Sequence, residues 1–242
     1  MCIRDRSNNH QKLITSLSQK KYRQKHQLFI AEGVKVVREL LKSSFELEII
    51  FSTDHEFSSL DCFVQVSDQE LKKISSLKTP NKVLALFKIP SQKKINSSGL
   101  IVALDTVNDP GNLGTIIRLC DWFGVEQLVC SKDTVDCYNS KVVQATMGSL
   151  TRVSISYLNL PEYLQTVSLQ IFIADMDGVN IHKAKLPASA VLVMGNEANG
   201  VSETLKQLVS NKISIPRYGN YNQVESLNVA TATAVLLNEF RR

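Results

Sequence analysis

From Gly99 to Arg242, short apolar segments alternate with amphipathic ones, and this alternation restricts the fold more than any other feature of the chain. Such a pattern is typical of β-α units whose strands pair in parallel. We therefore predict an α/β domain with a mostly parallel sheet. Its predicted strands are Leu100–Leu104, Gln127–Cys130, Arg152–Ser156, Ile171–Asp175, Val191–Met194 and Ile213–Ile215. Its predicted helices are Asn112–Phe123, Ser140–Met147, Leu160–Val167, Glu203–Val209 and a last one at the C-terminus.

Residues 7–90 predict a separate, small α/β domain. Residues 91–98, SQKKINSS, are polar and lack periodicity, so we place a linker there and the second domain at 99–242. Residues 1–6, MCIRDR, fit no element and resemble translated adapter sequence, so we expect them not to be native. The first domain is predicted to contain helices at Asn9–Leu17, Lys20–His26, Glu32–Lys42 and Asp68–Ser76, and strands at Leu28–Ile30, Leu47–Phe51, Phe63–Val66 and Val83–Phe87.

The cysteines and the hydropathy pattern limit the compartment and the kinds of site. The chain has 5 cysteines and 4 histidines, with no CxxC pair and no metal-ligand spacing, so we expect free thiols and no metal. No apolar run approaches the ~20 residues that a membrane helix needs, and the N-terminus lacks the apolar region of a secretory signal. We therefore expect a cytoplasmic protein that does not enter a membrane.

Positive charge is concentrated near the N-terminus. Residues 1–42 contain 10 Lys and Arg against 3 acidic residues, whereas the whole chain carries +5. The segment 20–25 places an aromatic ring among basic side chains. Such side chains can contact phosphates while the ring stacks on an unpaired nucleobase. A solvated helix face is the alternative interpretation. The candidate RNA-binding residues are Lys20, Lys21, Tyr22, Arg23 and Lys25.

Polar residues follow three of the predicted strands, and in open α/β sheets ligands bind beyond the carboxyl ends of strands. After the first strand, Asp109-Pro110-Gly111-Asn112 reads as a tight turn, and Asn112 is positioned to cap the next helix. Arg118 lies among apolar neighbours on that helix. Because an arginine keeps its charge, we expect it to have a buried partner or a ligand.

The second group of polar residues that follows a predicted strand is GNEANG, residues 195–200, in which two glycines flank a carboxylate. Gly195 would permit the close approach of a flat ligand, and Glu197 supplies hydrogen-bond acceptors. The chain has neither a GxGxxG after its first strand nor a GxxxxGK[ST], so an ordinary Rossmann cofactor site and a phosphate loop are not supported.

The third group of polar residues follows the last predicted strand, in the loop between Pro216 and the C-terminal helix. Its loop is polar, and its helix is predicted to open with Glu225-Ser226-Leu227-Asn228. One interpretation makes Ser226 the helix N-cap and Asn228 a first-turn residue. The other places both side chains in a polar ligand site.

These three segments together resemble the SpoU/TrmH family of RNA ribose 2′-O-methyltransferases in the SPOUT superfamily. The first motif is matched by Asn112 and Arg118 in NLGTIIR. The second is matched in GNEANG and the third in IP and SLNV, all in the family's order over about 120 residues. The matching positions of the last two are Gly195, Glu197, Gly200, Ile215, Pro216, Ser226, Leu227, Asn228 and Val229.

The resemblance implies a trefoil knot in the C-terminal domain, bound S-adenosylmethionine, and a homodimer whose active sites draw on both subunits. It assigns the central catalytic role to Arg118, as a base or as a residue that positions phosphate. We expect Asn112, Glu197, Ser226 and Asn228 to orient that arginine, the ribose or the cofactor. The expected cofactor contacts, largely through the backbone, are Met194, Gly195, Ile215, Pro216 and Leu227.

The expected function is therefore S-adenosylmethionine-dependent methylation of a ribose 2′-hydroxyl in structured RNA. Family members with such an N-terminal domain tend to act on ribosomal RNA, so we favour it over transfer RNA. Two alternatives stay open at this point. One is a transfer RNA 2′-O-methyltransferase, and the other is an RNA-binding protein that keeps the fold without catalysis.

Overall fold

The structure is a computed structural model and describes residues 3–92, 94–96, 98–219 and 226–242. Within this part of the chain the helices are α1 (Ile3–Ser16), α2 (Lys20–His26), α3 (Val34–Leu41), α4 (Asp68–Ile74), α5 (Pro110–Trp122), α6 (Ser140–Thr146), α7 (Leu160–Thr166), α8 (Glu203–Leu208) and α9 (Val229–Arg241). The strands are β1 (Leu28–Glu32), β2 (Leu47–Ser52), β3 (Phe63–Gln65), β4 (Val83–Lys88), β5 (Leu100–Leu104), β6 (Gln127–Ser131), β7 (Ser154–Leu158), β8 (Gln170–Asn180), β9 (Ala190–Met194) and β10 (Lys212–Ser214).

The chain forms two compact units. Unit 1 comprises residues 1–91 and 136–151, and unit 2 comprises residues 92–135 and 152–242. The sequence-based division into 7–90, 91–98 and 99–242 uses continuous segments of the chain. It therefore places residues 136–151 in the C-terminal domain, whereas the structure groups them with unit 1. No helix within the described residues has both the length and the apolar character needed to cross a membrane.

Unit 1 is built on a four-stranded sheet in the order β1-β4-β2-β3, in which only β2 and β3 are parallel. Strands β1 and β4 are buried over almost their whole length, because helices cover both faces of the sheet. One face packs against α1 and α4 through residues such as Leu28 and Ile30. On the other face, α3 and α6 pack against β1, and the Phe29 ring contacts the Tyr138 ring at 4.9 Å.

Unit 2 contains a six-stranded sheet in the order β10-β8-β9-β5-β6-β7, and every neighbouring pair is parallel. The central strands β5 and β9 are entirely buried, as expected for a sheet covered on both faces. This sheet confirms the α/β class and the mostly parallel arrangement predicted from the sequence. The predicted knot involves the loop before α9, of which residues 220–225 lie outside the described part of the chain.

The observed elements differ from the predicted ones mainly at their ends. Strand β8 continues from the predicted end at Asp175 to Asn180, because its last residues pair with β10. Helix α9 begins at Val229, after the predicted start at Glu225. Its C-terminal turn is joined to the end of α5 by Arg241, which donates hydrogen bonds to the carbonyls of Phe123 and Gly124 at 2.7 and 2.8 Å.

Candidate functional site

The carboxyl ends of β5 and β9 lie side by side, because these strands pair in register with Leu104 opposite Met194. The pairing extends one residue further, where the Asp105 N–H donates to the Met194 carbonyl at 2.9 Å. The loops that carry the first two sequence motifs therefore begin at the same point on the sheet edge. All of the predicted catalytic and cofactor residues belong to unit 2.

Three predicted catalytic residues form a continuous hydrogen-bonded chain, which we call the amide relay: Glu197, Asn112 and Asn228. The Asn112 Nδ2 donates to Glu197 Oε1 at 2.8 Å, and Asn228 Nδ2 donates to Asn112 Oδ1 at 2.9 Å. Asn228 Oδ1 in turn accepts from the N–H groups of Ala230 and Thr231. The structure thus joins one residue from each of the three motifs.

The two ends of the amide relay determine how its amides are oriented. The carboxylate of Glu197 can only accept hydrogen bonds, and the free N–H groups at the start of α9 can only donate them. Each amide between these ends must therefore point its NH₂ towards Glu197 and its oxygen towards α9. The relay consequently has a single polarity, which fixes Asn112 in one orientation.

The helix caps differ from the sequence-based interpretation. Asp109, not Asn112, caps α5, since its Oδ1 accepts from the Asn112 N–H at 2.8 Å, and Pro110 follows at the first helical position. The Asn112 side chain is thereby left available for the amide relay. Likewise, Asn228 caps α9, whereas Ser226 lies before the helix and is exposed.

Gly195 is required by the fold of its own loop. A Cβ at this position would lie 2.1 Å from the Gly200 carbonyl carbon and 2.2 Å from the Val201 nitrogen. The loop closes on itself here, because Asn196 and Gly200 exchange two backbone hydrogen bonds of 2.8 and 2.9 Å. The need for glycine is therefore explained without a ligand, and contact of Gly195 with the cofactor stays a prediction.

Asn196 is a site residue that the sequence analysis did not single out. Its side chain spans two loops, as its Nδ2 donates to the Thr106 carbonyl at 2.7 Å and its Oδ1 accepts from the Ala198 and Asn199 N–H groups. The neighbouring buried Asp105 adds a second link, because its Oδ2 accepts from the Ser202 N–H at 2.8 Å. Most of these partners are backbone groups, which leave little trace in a sequence.

Arg118 is exposed on α5, which contradicts the expectation of a buried partner. Gly111, Thr115, Arg118 and Trp122 share one face of the helix, and Trp122 is 85% exposed. Arg118 lies about 9 Å along the axis from Asn112 and on a different side of the helix. A single chain therefore does not bring Arg118 into the amide relay, and its guanidinium points to solvent where a polyanion could reach it.

A cavity of about 390 Å³ lies beside the ends of β8 and β10. Its lining includes Ile215 and Pro216, two of the five predicted cofactor contacts. The other three, Met194, Gly195 and Leu227, do not line it, and Leu227 is 51% exposed. The remaining lining residues are Met176, Asp177, Ser214 and Arg217.

The composition of this cavity fits S-adenosylmethionine. Such a ligand requires apolar surface for its adenine and polar groups for its ribose and amino-acid parts. Ile215, Pro216 and Met176 supply the apolar surface, whereas Asp177 and Arg217 supply charges of both signs.

The buried Cys120 cannot serve as a nucleophile near neutral pH, because desolvation raises its pKa to about 12.

The proposed RNA-binding segment of unit 1 is only partly available to a ligand. Lys20, Lys21 and Lys25 are exposed, and Tyr22 is partly exposed with the Lys21 Nζ 4.8 Å from its ring centre. Arg23 is different, because its side chain is only 3% exposed. The prediction that Arg23 contacts RNA is therefore wrong for the folded protein.

The Arg23 guanidinium is occupied within unit 1. Its Nε and Nη2 donate to Asp136 Oδ2 at 2.8 and 2.5 Å, and its Nη1 donates to the carbonyls of Leu17 and Ser18. Asp136 is itself 13% exposed and accepts from the Tyr138 N–H through Oδ1. Arg23 thus connects α2 to the segment 136–151.

Among the described residues, no group of three or more His, Cys, Asp and Glu side chains is arranged to bind a metal.

Comparison with known proteins assigns both parts of the chain to families. The model described as the SpoU rRNA Methylase family matches residues 99–238, and the MRM3-like substrate binding domain matches residues 8–85. The 23S rRNA (guanosine(2553)-2′-O)-methyltransferase RlmP of Bacillus subtilis is 31% identical over 93% of this chain and 93% of its own length.

Two solved structures share the whole fold. A TrmH-family protein from Porphyromonas gingivalis superimposes with a TM-score of 0.89 at 34% identity, covering 96% of this chain and 97% of that one. The AdoMet-bound rRNA methyltransferase from Sinorhizobium meliloti gives a TM-score of 0.86 at 29% identity, covering 97% of this chain and 94% of that one. Both similarities extend over unit 1 and unit 2.

Proposed function

The chain belongs to the SpoU rRNA methylase family, and from this premise we propose that it transfers a methyl group from S-adenosylmethionine to a ribose 2′-hydroxyl of ribosomal RNA. The family confirms the resemblance seen in the three motifs. The observation that carries the proposal is the amide relay, which joins Asn112, Glu197 and Asn228 in one hydrogen-bonded unit.

S-adenosylmethionine supplies an electrophilic methyl group on a sulfonium, and the chain supplies binding and orientation. The cavity beside Ile215 and Pro216 provides its binding surface, together with the backbone at Met194, Gly195 and Leu227. The amide relay and Ser226 orient the ligand and the ribose at the meeting point of the three loops. Because the hydrogen bonds of the amide relay hold Asn112 and Asn228 in one orientation, little reorganisation accompanies the reaction.

Arg118 has a separate role in this proposal. A guanidinium keeps its proton near neutral pH and is a poor general base, so we assign it to the RNA phosphate beside the reacting ribose. There it positions the 2′-hydroxyl oxygen, which takes the methyl group while its proton passes to solvent water, and the positive charge of Arg118 stabilises the negative charge that develops on that oxygen. Its exposure on α5 leaves the guanidinium accessible to RNA.

We propose a homodimer in which the exposed face of α5 packs near a second copy of the chain. Trp122 is the most exposed large apolar side chain in the described part of the protein, and it shares a helix face with Arg118. Covering Trp122 would remove apolar surface from water. It would also place Arg118 next to the partner's site, which accounts for its separation from the amide relay in one chain.

The proposed reaction takes place in the cytoplasm. Within the described residues, Cys62, Cys120, Cys130 and Cys137 are in the reduced form, which supports a reducing compartment. Ribosomal RNA is available there during ribosome assembly. Transfer RNA would be equally accessible, so location does not decide between the two substrates, and the family relationship and the substrate-binding domain favour ribosomal RNA.

Unit 1 is proposed to bind the RNA through Lys20, Lys21 and Lys25. Replacing these three residues by Ala should weaken RNA binding at low salt, because each lysine neutralises a phosphate and releases a counterion. The slope of log affinity against log salt should fall by about 2. Filter binding or fluorescence anisotropy over a range of salt concentrations measures this slope.

The matched control replaces Lys42, Lys72 and Lys73 by Ala, which removes the same charge from other exposed positions of unit 1. We expect this control to change the salt slope less than the first variant does. Equal slopes for the two variants would show that only net charge matters, and would return the segment 20–25 to a solvated helix face.

The proposed function is tested by incubating the purified protein and labelled S-adenosylmethionine with total RNA that lacks the modification. Methylated sites are then mapped by cleavage that is blocked at 2′-O-methylated ribose. Label at one position of ribosomal RNA is the expected result. Label in transfer RNA would show that transfer RNA, and not ribosomal RNA, is the substrate. No label, together with no cofactor binding by calorimetry, would favour a non-catalytic RNA-binding protein.

A further inference from the structure

We propose that Asn196 is a positioning residue for methyl transfer, whose side-chain amide holds the Glu197 loop in the orientation that the amide relay requires. We call this side chain and its three partners, the Thr106 carbonyl and the N–H groups of Ala198 and Asn199, the Asn196 clamp. The inference rests on the proposed function, because it assigns Asn196 a part in the same reaction. It goes beyond that function by explaining what fixes Glu197.

The Asn196 clamp uses both ends of one amide. The Nδ2 donates to the Thr106 carbonyl at 2.7 Å, and the Oδ1 accepts from Ala198 at 2.9 Å and from Asn199 at 3.2 Å. The Asn196 backbone is paired with Gly200 in both directions. Glu197 therefore lies between two residues that are each tied to the clamp, and its backbone has little freedom.

The partner loop is held in an unusual conformation. Thr106 has a φ of +58°, which is uncommon for a β-branched residue and strains the backbone. Its N–H donates to Ser131 Oγ at 2.9 Å, and its carbonyl receives the Asn196 amide. Ser131 Oγ also bonds the buried Thr134 hydroxyl at 3.0 Å. Surrounding hydrogen bonds thus fix a strained residue, and strain of this kind is concentrated at functional sites.

The Thr106 carbonyl accepts a hydrogen bond from the Asn196 amide, and the N–H groups of Ala198 and Asn199 donate to the same amide. Only an amide of the length of asparagine satisfies both at this position without moving the loop. An aspartate retains the acceptor but places a negative oxygen against the Thr106 carbonyl. Protonation of that aspartate would restore a donor, so its effect on the loop should depend on pH.

The effect reaches the reaction through the amide relay. If the Glu197 loop turns away, Oε1 no longer receives Asn112, and the amide orientation set at that end is lost. Asn112 and Asn228 then no longer share one fixed polarity. A displacement of about 1 Å in such a site can lower the rate by about 10²-fold.

The test compares Asn196→Asp with Asn199→Asp, two isosteric changes that add the same charge to the same loop. Asn199 is exposed, and its contribution to the clamp is a backbone N–H that the substitution retains. We expect Asn196→Asp to lower kcat about 10- to 100-fold near pH 8 while KM for RNA changes little. Asn199→Asp should remain close to the unsubstituted protein at all pH values.

The pH profile separates positioning from general damage. The ratio of kcat for Asn196→Asp to that of the unsubstituted protein should rise as the pH falls and the introduced carboxyl group becomes protonated. Asp105 and Glu197 are the titratable groups on the two loops that the clamp joins, and both are present in each protein, so the ratio removes their own titration. A pH-independent ratio, or an equal loss for Asn199→Asp, would overturn the proposal.

A measurement on the unsubstituted protein covers the case in which Asn196→Asp fails to fold. The Ala198 and Asn199 residues are exposed, so without the clamp their N–H groups should exchange with solvent at the rate of an unstructured peptide. We expect both amides to exchange at least about 10-fold more slowly. Unprotected exchange at both would overturn the proposal, whereas loss of methyl transfer by the unsubstituted protein itself would instead contradict the proposed function.

Discussion

Arg118→Ala should abolish methyl transfer, with kcat lowered by about 10³-fold or more, while S-adenosylmethionine still binds. The reason is that Arg118 alone supplies the positive charge proposed to position the phosphate and stabilise the developing oxyanion. Its side chain is exposed and does not line the cavity beside Ile215, so neither the fold nor cofactor binding depends on it. Single-turnover methyl transfer and calorimetric titration of the cofactor measure the two effects separately.

Two further variants make this result interpretable. Arg118→Lys retains the charge but loses the planar fork of donors, and should recover only a small part of the rate. Arg242→Ala removes an exposed arginine at the end of α9 and should leave the rate unchanged. Unchanged turnover in Arg118→Ala would refute the assigned role, and simultaneous loss of cofactor binding would place Arg118 in the cofactor site instead.

Arg23→Met should strongly destabilise unit 1, by about 3 kcal/mol. The substitution leaves the largely buried Asp136 carboxylate without its cation and removes the donors that satisfy the Leu17 and Ser18 carbonyls. A charge left uncompensated in the interior is far more costly than the loss of a surface pair. Thermal and urea unfolding followed by circular dichroism measure the change.

The control for this prediction is Arg38→Met, which removes the cation of the exposed Arg38–Glu56 pair in the same unit and should hardly change the unfolding transition. Combining Arg23→Met with Asp136→Leu should restore much of the lost stability, because no charge is then left alone. If Arg23→Met and Arg38→Met have equally small effects, the buried Arg23–Asp136 pair does not stabilise unit 1.

The secondary structure could be predicted from the sequence because its signals are local. Apolar runs and helical periodicity located every strand of unit 2, although β8 continues past its predicted end at Asp175 to Asn180. The cap of α5 was predicted wrongly, since Asn112 was expected to cap the helix and the structure shows that Asp109 accepts the N–H bond instead. At α9 one interpretation made Ser226 the cap and Asn228 a first-turn residue, whereas Asn228 is the cap in the structure.

The main errors of the sequence-based prediction concern which arginines are buried. For Arg23, the cause is a contact with a residue far away in the sequence. Arg23 is buried because it meets Asp136, which is 113 residues away in the sequence. Nothing near Arg23 distinguishes it from Lys21 or Lys25 on the same basic helix. Arg118 shows the reverse error, because its sequence neighbours are apolar while the positions on its own helix face include Gly111 and Thr115, a pattern that indicates exposure.

The candidate site was predictable as a set of motifs but not as a geometry. The motifs identified Asn112, Glu197 and Asn228, and the structure links them directly. The Asn196 clamp escaped prediction because its partners are backbone groups brought together by the pairing of β5 with β9. A side chain that serves the backbone of a distant loop has no partner residue that a sequence pattern could reveal.

The central claim, that this chain methylates a ribose 2′-oxygen of RNA, is tested most directly by the chemical identity of the product. Ribosomal RNA treated with the protein and isotopically labelled S-adenosylmethionine would be digested to nucleosides and analysed by mass spectrometry. We predict that the label appears in a 2′-O-methylated nucleoside, with its additional mass on the ribose fragment. Label on the base fragment, or no labelled nucleoside from any cellular RNA, would contradict the claim.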